Sequence, residues 1–521
     1  MLGLIPIAIL LAGAVGVTVL RFVPRGTGFS WLFSVFCSLA AWIVFLFSKA
    51  FLPYMYSGNL YSDIAINTHF PAFQVDLIIW PMIVGILAVV VGAIISSAAR
   101  IGFDANTVEW AGILLFGAIG FASCASQNVL TGVIFLSLFD FFDFFIIITS
   151  RKQEKGNYIY LFWRLISLLL LFAVFSWSNL DEQSVNDWET LQSIPSQLAL
   201  IAFIIRMGVS PSKSLIGIPV SVSTGLDTAR HLIGFIISAA IVIQLPAFVG
   251  SEIALAILLV YLLVSLVVSL MRLKPERTSS NPFLWQSICG ALICAQYLYG
   301  FSASAIMLLI AFIPILFIYR QPFKSGKFYL VIGLLAILGF SGLPFTPNNS
   351  GLNGFRTSGA VSGVFFIVSL IPMFFHMLKT VFSENFPDTV VERWALTIAP
   401  LGSIILIIST WAVYFLWQPD AVKILFSVQP ILMTLGGTGI FVAARLKLFN
   451  LEPGLEIYKD FNKNILSGLT LKFRQVKMPS FSVIEKVYKF IINLFESDGG
   501  ILWAILCLVL IITIISGIGL N

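Results

Sequence analysis

Residues 129–149 read VLTGVIFLSLFDFFDFFIIIT, a run of 21 residues in which only Asp140 and Asp143 are charged. About 20 mostly apolar residues are enough for a helix to cross the hydrocarbon core of a membrane. The two aspartates are three positions apart, so they would lie on one face of that helix. Because ionisable side chains are costly inside a membrane, those found there are candidates for function. The stretch therefore predicts a membrane-spanning helix with a functional acidic face.

The whole chain has the same apolar character. Of its 521 residues, 59% are hydrophobic and 10% are charged, and the mean hydropathy is +1.00. A soluble domain has about 25% charged residues. A soluble globule with this composition would expose a largely apolar surface, and a disordered chain would need far fewer apolar residues. The composition predicts an all-α polytopic membrane protein.

Other classes of site have little support in the sequence. The net charge of +6 is expected in loops beside the membrane, so it does not indicate nucleic-acid binding. The five cysteines fall in or beside apolar stretches without C-x-x-C spacing, which favours a packing role. Three histidines without an H-E-x-x-H pattern give no metal site. We expect neither a cofactor nor a metal.

Sixteen segments are long and apolar enough to be membrane helices. The first has no basic start and no clear cleavage site, so we expect a retained helix and not a signal peptide. The predicted spans are 2–20, 28–48, 76–98, 107–124, 129–149, 158–177, 196–210 with a broken continuation, 226–248, 251–271, 281–299, 302–319, 328–346, 358–379, 394–417, 424–444 and 501–519.

The distribution of lysine and arginine predicts the orientation, because these residues collect in cytoplasmic loops. With Met1 outside, the outer loops contain only Lys49, Arg356 and Lys423. Three more basic residues fall within spans, and the remaining 24 of the 30 fall on the cytoplasmic side. We predict a multi-pass protein of the cell (inner) membrane with both termini on the non-cytoplasmic side.

One long polar segment follows the fifteenth span. Its part Ser482–Glu496 places apolar residues on one helical face, which indicates an amphipathic helix along the cytoplasmic surface. A simple linker to the last helix is the alternative. The predicted organisation is N-terminal helices at 1–106, a first repeat at 107–248, a second repeat at 251–379, C-terminal helices at 380–444, the lateral segment at 445–498 and a terminal helix at 501–519.

Charged residues within the spans are concentrated in the first repeat. A proton path needs titratable groups linked by short steps, and an arginine can only bias its neighbours because it stays protonated. A structural ion pair between Asp140 and Arg206 is an alternative reading, and Arg164 could instead extend to the membrane surface. The predicted titrating groups are Asp140, Asp143, Asp227 and His231, and the predicted pKa-setting or ion-pairing residues are Arg164, Arg206 and Arg230.

The second repeat contrasts with the first. Its spans at 254–270, 281–319 and 328–349 contain no charged residue, which leaves His376 and Lys379 as its candidates. Helix breaks are expected in both repeats, because glycine and proline residues interrupt their helices. The backbone groups left without helical partners are tolerated in a membrane only around protein-lined or watered cavities. The predicted breaks are at Pro211, Pro219 and Pro344.

Three stretches together resemble the antiporter-like membrane subunits of respiratory complex I, Mrp antiporters and energy-converting hydrogenases. They are NVLTGVIFLS at 128–137, RMGVSP at 206–211 continuing to PVSVS at 219–223, and GFSGLPFT at 339–346. The stretch ESDGGILW at 496–503 is similar to the start of the last helix in some distant members. The resemblance implies two inverted five-helix repeats with broken helices.

The resemblance also implies positions for the charged residues of the family. The glutamate of its helix 5 falls on Ser137, one turn before Asp140, and the lysine of its helix 7 falls on Arg206. The histidine of its helix 8 falls on Asp227, one turn before His231. The charged residues of the second repeat have no counterpart here.

These observations leave three hypotheses for a subunit of a larger assembly, with a stand-alone secondary transporter as a fourth that the lateral helix disfavours. The first is a subunit that translocates protons or monovalent cations within a larger energy-converting complex, with other membrane subunits and lipid as partners. The second is a degenerate antiporter-like subunit that acts as a scaffold or coupler without a full proton path. The third is a proton-driven partner of a non-redox enzyme, such as an inorganic-carbon-capturing complex. An independent enzyme is not expected.

Overall fold

The structure, a computed structural model, confirms an all-α polytopic protein. It describes residues 2–23, 26–57, 72–101, 106–149, 155–178, 187–209, 225–246, 252–271, 282–320, 327–357, 360–382, 393–417 and 428–445. The predicted lateral segment after Arg445, the predicted helix at 501–519, and the predicted breaks at Pro211 and Pro219 lie outside these residues.

Fifteen long helices coincide with the first fifteen predicted spans. Nine of those in the described part of the chain have the length and hydropathy of a membrane span, and six apolar ones are shorter. The helices are α1 Ile5–Leu20, α2 Gly26–Ser48, α3 Trp80–Ser96, α4 Thr107–Cys124, α5 Val129–Thr149, α6 Lys155–Ser178, α7 Ser193–Arg206, α8 Gly225–Gln244, α9 Glu252–Met271, α10 Pro282–Leu298, α11 Ser302–Arg320, α12 Lys327–Phe340, the short α13 Pro347–Leu352 and α14 Gly354–Thr357, α15 Ala360–Phe382, α16 Arg393–Trp417 and α17 Val428–Arg445.

Short polar side chains begin several of these helices. The Asn106 side chain accepts a hydrogen bond from the backbone N–H of Glu109 at 3.0 Å at the start of α4. Asn128 does the same for Thr131 at 2.7 Å at the start of α5. These oxygens satisfy N–H groups that have no partner in the first turn of a helix. The helices of the first half therefore begin at positions fixed by sequence.

Helix α3 lies at the centre of the described bundle. Every residue from Trp80 to Ser96 is buried, and the helix contacts α2, α4, α8, α11 and α16. The indole N–H of Trp31 donates to the Ile94 carbonyl oxygen at 2.9 Å from α2. A helix that is apolar all round is typical of such a central position. The helices that carry charges pack around this apolar centre.

Glycines allow α3 and α16 to approach closely. A Cβ atom on Gly402 would overlap the carbonyl oxygen of Gly92, and one on Gly92 would overlap the Leu406 side chain. Small residues at a helix crossing let the backbones pack closely in membrane proteins. The α3–α16 contact thus depends on two glycines without side chains.

The described residues also contain one two-stranded β-sheet. Strands β1 Tyr54–Ser57 and β2 Ala72–Val75 pair with each other. The Gln74 N–H donates to Ala125 at 2.7 Å, and the Gln127 N–H donates to Ala72 at 3.0 Å. The strand β2 therefore fastens the loop between α4 and α5.

The predicted break in the second half is present around Pro344. Helix α12 ends at Phe340 and α13 begins at Pro347, so the break covers 341–346. The backbone at Phe345 has a φ of 67°, in the left-handed region. The amides of Asn348 and Asn349 donate to the carbonyl oxygens of Phe340 at 2.6 Å and Gly342 at 2.9 Å. Side chains of the chain itself thus satisfy the carbonyls that the break frees.

Gly402→Ala tests the close helix contact. We expect it to lower the thermal stability of the detergent-solubilised protein, because overpacking a buried site costs about 1–3 kcal/mol. Gly439→Ala on α17 is the matched control, since a Cβ there meets nothing within 4 Å. Tryptophan fluorescence during heating measures both variants. Equal midpoints for the two variants would contradict the role of Gly402.

Candidate functional site

The site is built around a bidentate ion pair between α5 and α7. Asp140 is the twelfth of the 21 residues of α5, and Arg206 is the last residue of the 14-residue α7. Nη1 and Nη2 of Arg206 each donate to a different oxygen of Asp140 at 2.7 Å. Nη1 also lies 3.4 Å from the Ser167 hydroxyl oxygen on α6. Because α7 is only about 20 Å long, it delivers Arg206 to the middle of α5.

Arg164 and Tyr160 on α6 extend this pair towards the end of α5. The Nη1 atom of Arg164 lies 3.4 Å from Asp140, and its Nε donates to the Tyr160 hydroxyl at 3.0 Å. That hydroxyl donates to Oδ2 of Asp143 at 2.7 Å. Arg164 is buried, so it points into the protein and does not extend to the surface as the alternative reading had it. The two residues connect both aspartates of α5.

The first turns of α8 complete the network. Nη1 of Arg230 contacts Asp143, and its Nε donates to Asp227 at 2.8 Å. Nε2 of His231 lies 3.6 Å from Asp227 Oδ1. The His231 ring also packs edge-on against the Tyr160 ring at 5.1 Å. The four predicted titrating residues and the three predicted arginines therefore form one connected set, which we call the charge network.

The charge network contains as many carboxylates as guanidiniums and is mostly buried. The exposed fraction of the side chain is 0% for Arg206, 2% for Asp143, 11% for Asp140 and 26% for Asp227. Removing an ion from water costs several kcal/mol, and only good pairing and further hydrogen bonds offset that cost. Three carboxylates face three guanidiniums here. The exposure is greatest at Asp227, at the end of the network where α8 begins.

A second buried ion pair lies beside the start of α8. Arg100 contacts Glu109 on α4, and Oε1 of Glu109 accepts from the backbone N–H of Leu226 at 3.2 Å. A Cβ on Gly225 would lie 2.9 Å from the same oxygen. The pair thus holds the first turn of α8 against α4.

The two candidates of the second half lie elsewhere. His376 and Lys379 are on α15, which packs against α9, α12 and α17. The His376 ring contacts Trp285 at 5.2 Å and Phe375 at 5.4 Å between ring centroids. Among the described residues, no three metal-ligating side chains of His, Cys, Asp or Glu come together.

Sequence reasoning missed three members of the site. Tyr160 and Ser167 are polar residues within an apolar span, but nothing in their spacing distinguished them from ordinary helix residues. Arg320 falls one residue beyond the predicted span 302–319, yet it ends α11 and is buried. A basic residue directly at the end of an apolar run, within reach of the span, was the available signal.

Comparisons with known proteins identify the fold. No protein-family model and no curated protein matches the sequence. A chain of the Mrp complex from Dietzia sp. DQ12-45-1b aligns with a TM-score of 0.67 and 11% identity over 99% of this chain, which spans 63% of that chain. A chain of the membrane-bound sulfane sulfur reductase, an archaeal respiratory membrane complex, aligns with a TM-score of 0.62 and 12% identity, covering 97% of this chain and 99% of that one.

Respiratory complex I shows the same likeness. A chain of the Thermus thermophilus complex with bound Aureothin aligns with a TM-score of 0.59 and 14% identity, covering 80% of this chain and 98% of that one. The chain therefore has the fold of membrane subunits in these three kinds of complex. This confirms the predicted resemblance at the level of the fold.

The Asp140–Arg206 pair predicts a strongly non-additive double-mutant cycle. Asp140→Asn or Arg206→Gln alone leaves the other charge buried, which costs about 3–5 kcal/mol when a buried pair is broken. The double variant removes both charges, so we expect it to lose less stability than the sum of the single variants. Unfolding in mixed micelles with increasing dodecyl sulfate, followed by tryptophan fluorescence, measures the three variants.

Ser137→Ala is the control for that cycle. The Ser137 hydroxyl lies one turn before Asp140 on α5 and donates to Val133 of its own helix at 2.6 Å. Removal of the Ser137 hydroxyl should change stability little, whether or not Asp140 or Arg206 is also substituted. Additive effects of the Asp140 and Arg206 substitutions would contradict the pairing.

Proposed function

We propose that this chain is an antiporter-like membrane subunit that translocates protons or monovalent cations within a larger energy-converting complex. The observation that carries the proposal is the charge network itself. It runs from Asp140, in the middle of α5, and its partner Arg206 to Asp227 at the beginning of α8. Ionisable residues inside a membrane bundle are typical of ion pathways and proton relays.

The charge network brings its titratable groups within a few contacts of one another. The Tyr160 hydroxyl lies 2.7 Å from Oδ2 of Asp143, and Nε2 of His231 lies 3.6 Å from Oδ1 of Asp227. Arg164 and Arg230 lie between the other groups, so proton transfer there would need a bridging water. Direct transfer needs a separation of about 2.6–3.2 Å or one bridging water. Asp140, Asp143, Asp227 and His231 would exchange protons, and the Tyr160 hydroxyl can both donate and accept. Arg164, Arg206 and Arg230 would set the protonation of these groups.

The energy for transport would come from partner subunits. In this proposal the chain lies in the inner membrane with both termini on the non-cytoplasmic side. Its two groups of five long helices, α4–α8 and α9–α12 with α15, are inverted repeats. The three structural neighbours named above are chains of membrane complexes, which supports other membrane subunits as partners. A complex with a non-redox enzyme, such as an inorganic-carbon-capturing one, would use the same network.

A coupler without a full proton path is the second candidate function. The observation that favours it is the lack of acidic residues in the described helices α9–α13 apart from Glu252 at the very start of α9. The first half would then transmit a conformational change, and the second half would stay dry. The buried amides of Asn348 and Asn349 at the α12 break donate to backbone carbonyl oxygens of the chain itself.

Neutralising the acids tests translocation directly. The native complex is purified through a tag on this chain and placed in liposomes, and a pH-sensitive dye follows proton uptake under an imposed potassium diffusion potential. Asp140→Asn and Asp227→Asn should each lower the initial rate by at least about tenfold, because a proton-transfer group contributes about 10²–10⁴. Ser137→Ala should leave the rate unchanged. Full transport by both asparagine variants would reject the proton path.

Thiol reactivity distinguishes the coupler from a full path. Cys289 and Cys294 lie on α10 and are fully buried. In single-cysteine variants, a dry second half predicts very slow reaction with a methanethiosulfonate reagent, since the thiolate is the reactive form and forms poorly without water. The dodecyl sulfate-unfolded protein gives the maximal rate. Rapid labelling of the folded protein would count against the coupler.

A further inference from the structure

Arg320 is a buried cation that has no acidic partner in the described part of the chain. It is the last residue of α11 and is 3% exposed. Its guanidinium lies over the Phe283 ring at 4.6 Å from the centroid, and Nη2 donates to Oε1 of Gln286 at 3.0 Å. Its Nε and Nη1 atoms have no hydrogen-bond acceptor among the described residues.

The distribution of charge near Arg320 is uneven. Arg230 contacts the carboxylates of both Asp143 and Asp227, whereas Arg320 contacts no carboxylate in the described ranges. One neutral hydrogen bond and one aromatic face do not offset the cost of burying a guanidinium. An arrangement in which each of the two arginines has one carboxylate would therefore be competitive with the one observed.

Asp227 is the carboxylate that a short series of contacts connects to Arg320. Phe283, which carries the Arg320 guanidinium on its face, packs edge-on against His231 at 5.1 Å. Nε2 of His231 is 3.6 Å from Asp227. The Asp227 carboxylate also acts electrostatically on the Arg320 guanidinium. Three contacts, through Phe283 and His231, thus connect Arg320 to this acid.

Asp227 is also the acid of the network that can move with the least loss. Its side chain is 26% exposed, against 2% for Asp143, and it lies in the first turn of α8. If it left Arg230, that arginine would keep Asp143. Asp143 itself is held by Tyr160 at 2.7 Å as well as by Arg230.

We infer that Arg320 is the second binding partner of the Asp227 carboxylate, and that Asp227 exchanges between Arg230 and Arg320. Arg320 is then a positioning residue that acts through Asp227. The exchange links the first turn of α8, in the first half, to the end of α11, in the second half. This inference rests on the proposed function only where transport is measured.

Stability of the full-length protein in detergent is the first test. Arg320→Gln should raise the thermal unfolding midpoint, by about 2 °C, because it removes a buried charge that contacts no carboxylate of the described residues. Arg100→Gln is the matched control, a buried arginine at another helix end that has a carboxylate partner, Glu109. That control should lower the midpoint. A lowered midpoint for Arg320→Gln would show a purely structural arginine and overturn the inference.

The dependence on Asp227 is the second test. In an Asp227→Asn background Arg320 has lost the carboxylate that would exchange onto it. Arg320→Gln should therefore raise the midpoint more than in the wild type. In an Asp140→Asn background, which removes the same charge at the far end of the network, the gain should equal the wild-type gain. An equal gain in all three backgrounds would show that Asp227 does not reach Arg320.

Transport by the purified complex in liposomes is the third test. Arg320→Gln should lower the rate of proton uptake by about tenfold, a change of about 1.4 kcal/mol in the barrier, and Arg320→Lys should restore most of it. If Asp140→Asn abolishes transport while Arg320→Gln leaves it unchanged, the proposed function holds and this inference fails. If the wild type transports no protons, the proposed function fails, and the stability tests still decide the exchange.

Discussion

The bidentate pair between Asp140 and Arg206 is the interaction on which the rest of the site depends. A carboxylate in the middle of a membrane helix is tolerated only with a partner of opposite charge, and that partner must arrive at the same depth. The short helix α7 meets this requirement by ending at Arg206. The other members follow in a series in which each side chain contacts the one before it: Arg164 and Tyr160 on α6, Asp143 on α5, and Arg230 and Asp227 on α8. The charge network is thus a solution to a desolvation problem as well as a candidate path.

Much of this architecture could be predicted from the sequence, because apolar length and loop charge report directly on spans. Fifteen of the sixteen spans coincide with helices, and the seven charged or titratable residues singled out in the first half come together. The partners of each residue could not be predicted, since Tyr160 and Ser167 resemble any polar residue of a helix. The burial of Arg320, one residue beyond the predicted span 302–319, could not be predicted for a physical reason. A basic residue at the end of a span reads as a loop residue by composition, whether it extends to the surface or turns inward.

The two halves of the described bundle solve the problem of buried polarity in different ways. The first half places opposite charges against each other on α5, α6, α7 and α8. The second half uses neutral amides, with Asn348 and Asn349 bonding the carbonyls freed at the α12 break. Ion pairs respond to the gain or loss of a proton, whereas amides do not titrate. A response to protonation of the charge network would therefore begin in the first half and reach the second half through contacts such as those of Arg320 and Phe283.

The central helix α3 has a consequence for how the protein is made. Its neighbour α16 is synthesised nearly three hundred residues later, so during translation the face around Gly92 has no protein against it. In water such a face would drive aggregation, but lipid chains are as apolar as leucine, and waiting in the bilayer costs little. When α16 is inserted, Gly402 allows it to pack closely against Gly92 of α3. Assembly of this part is accordingly a matter of shape recognition between helices that are already inserted.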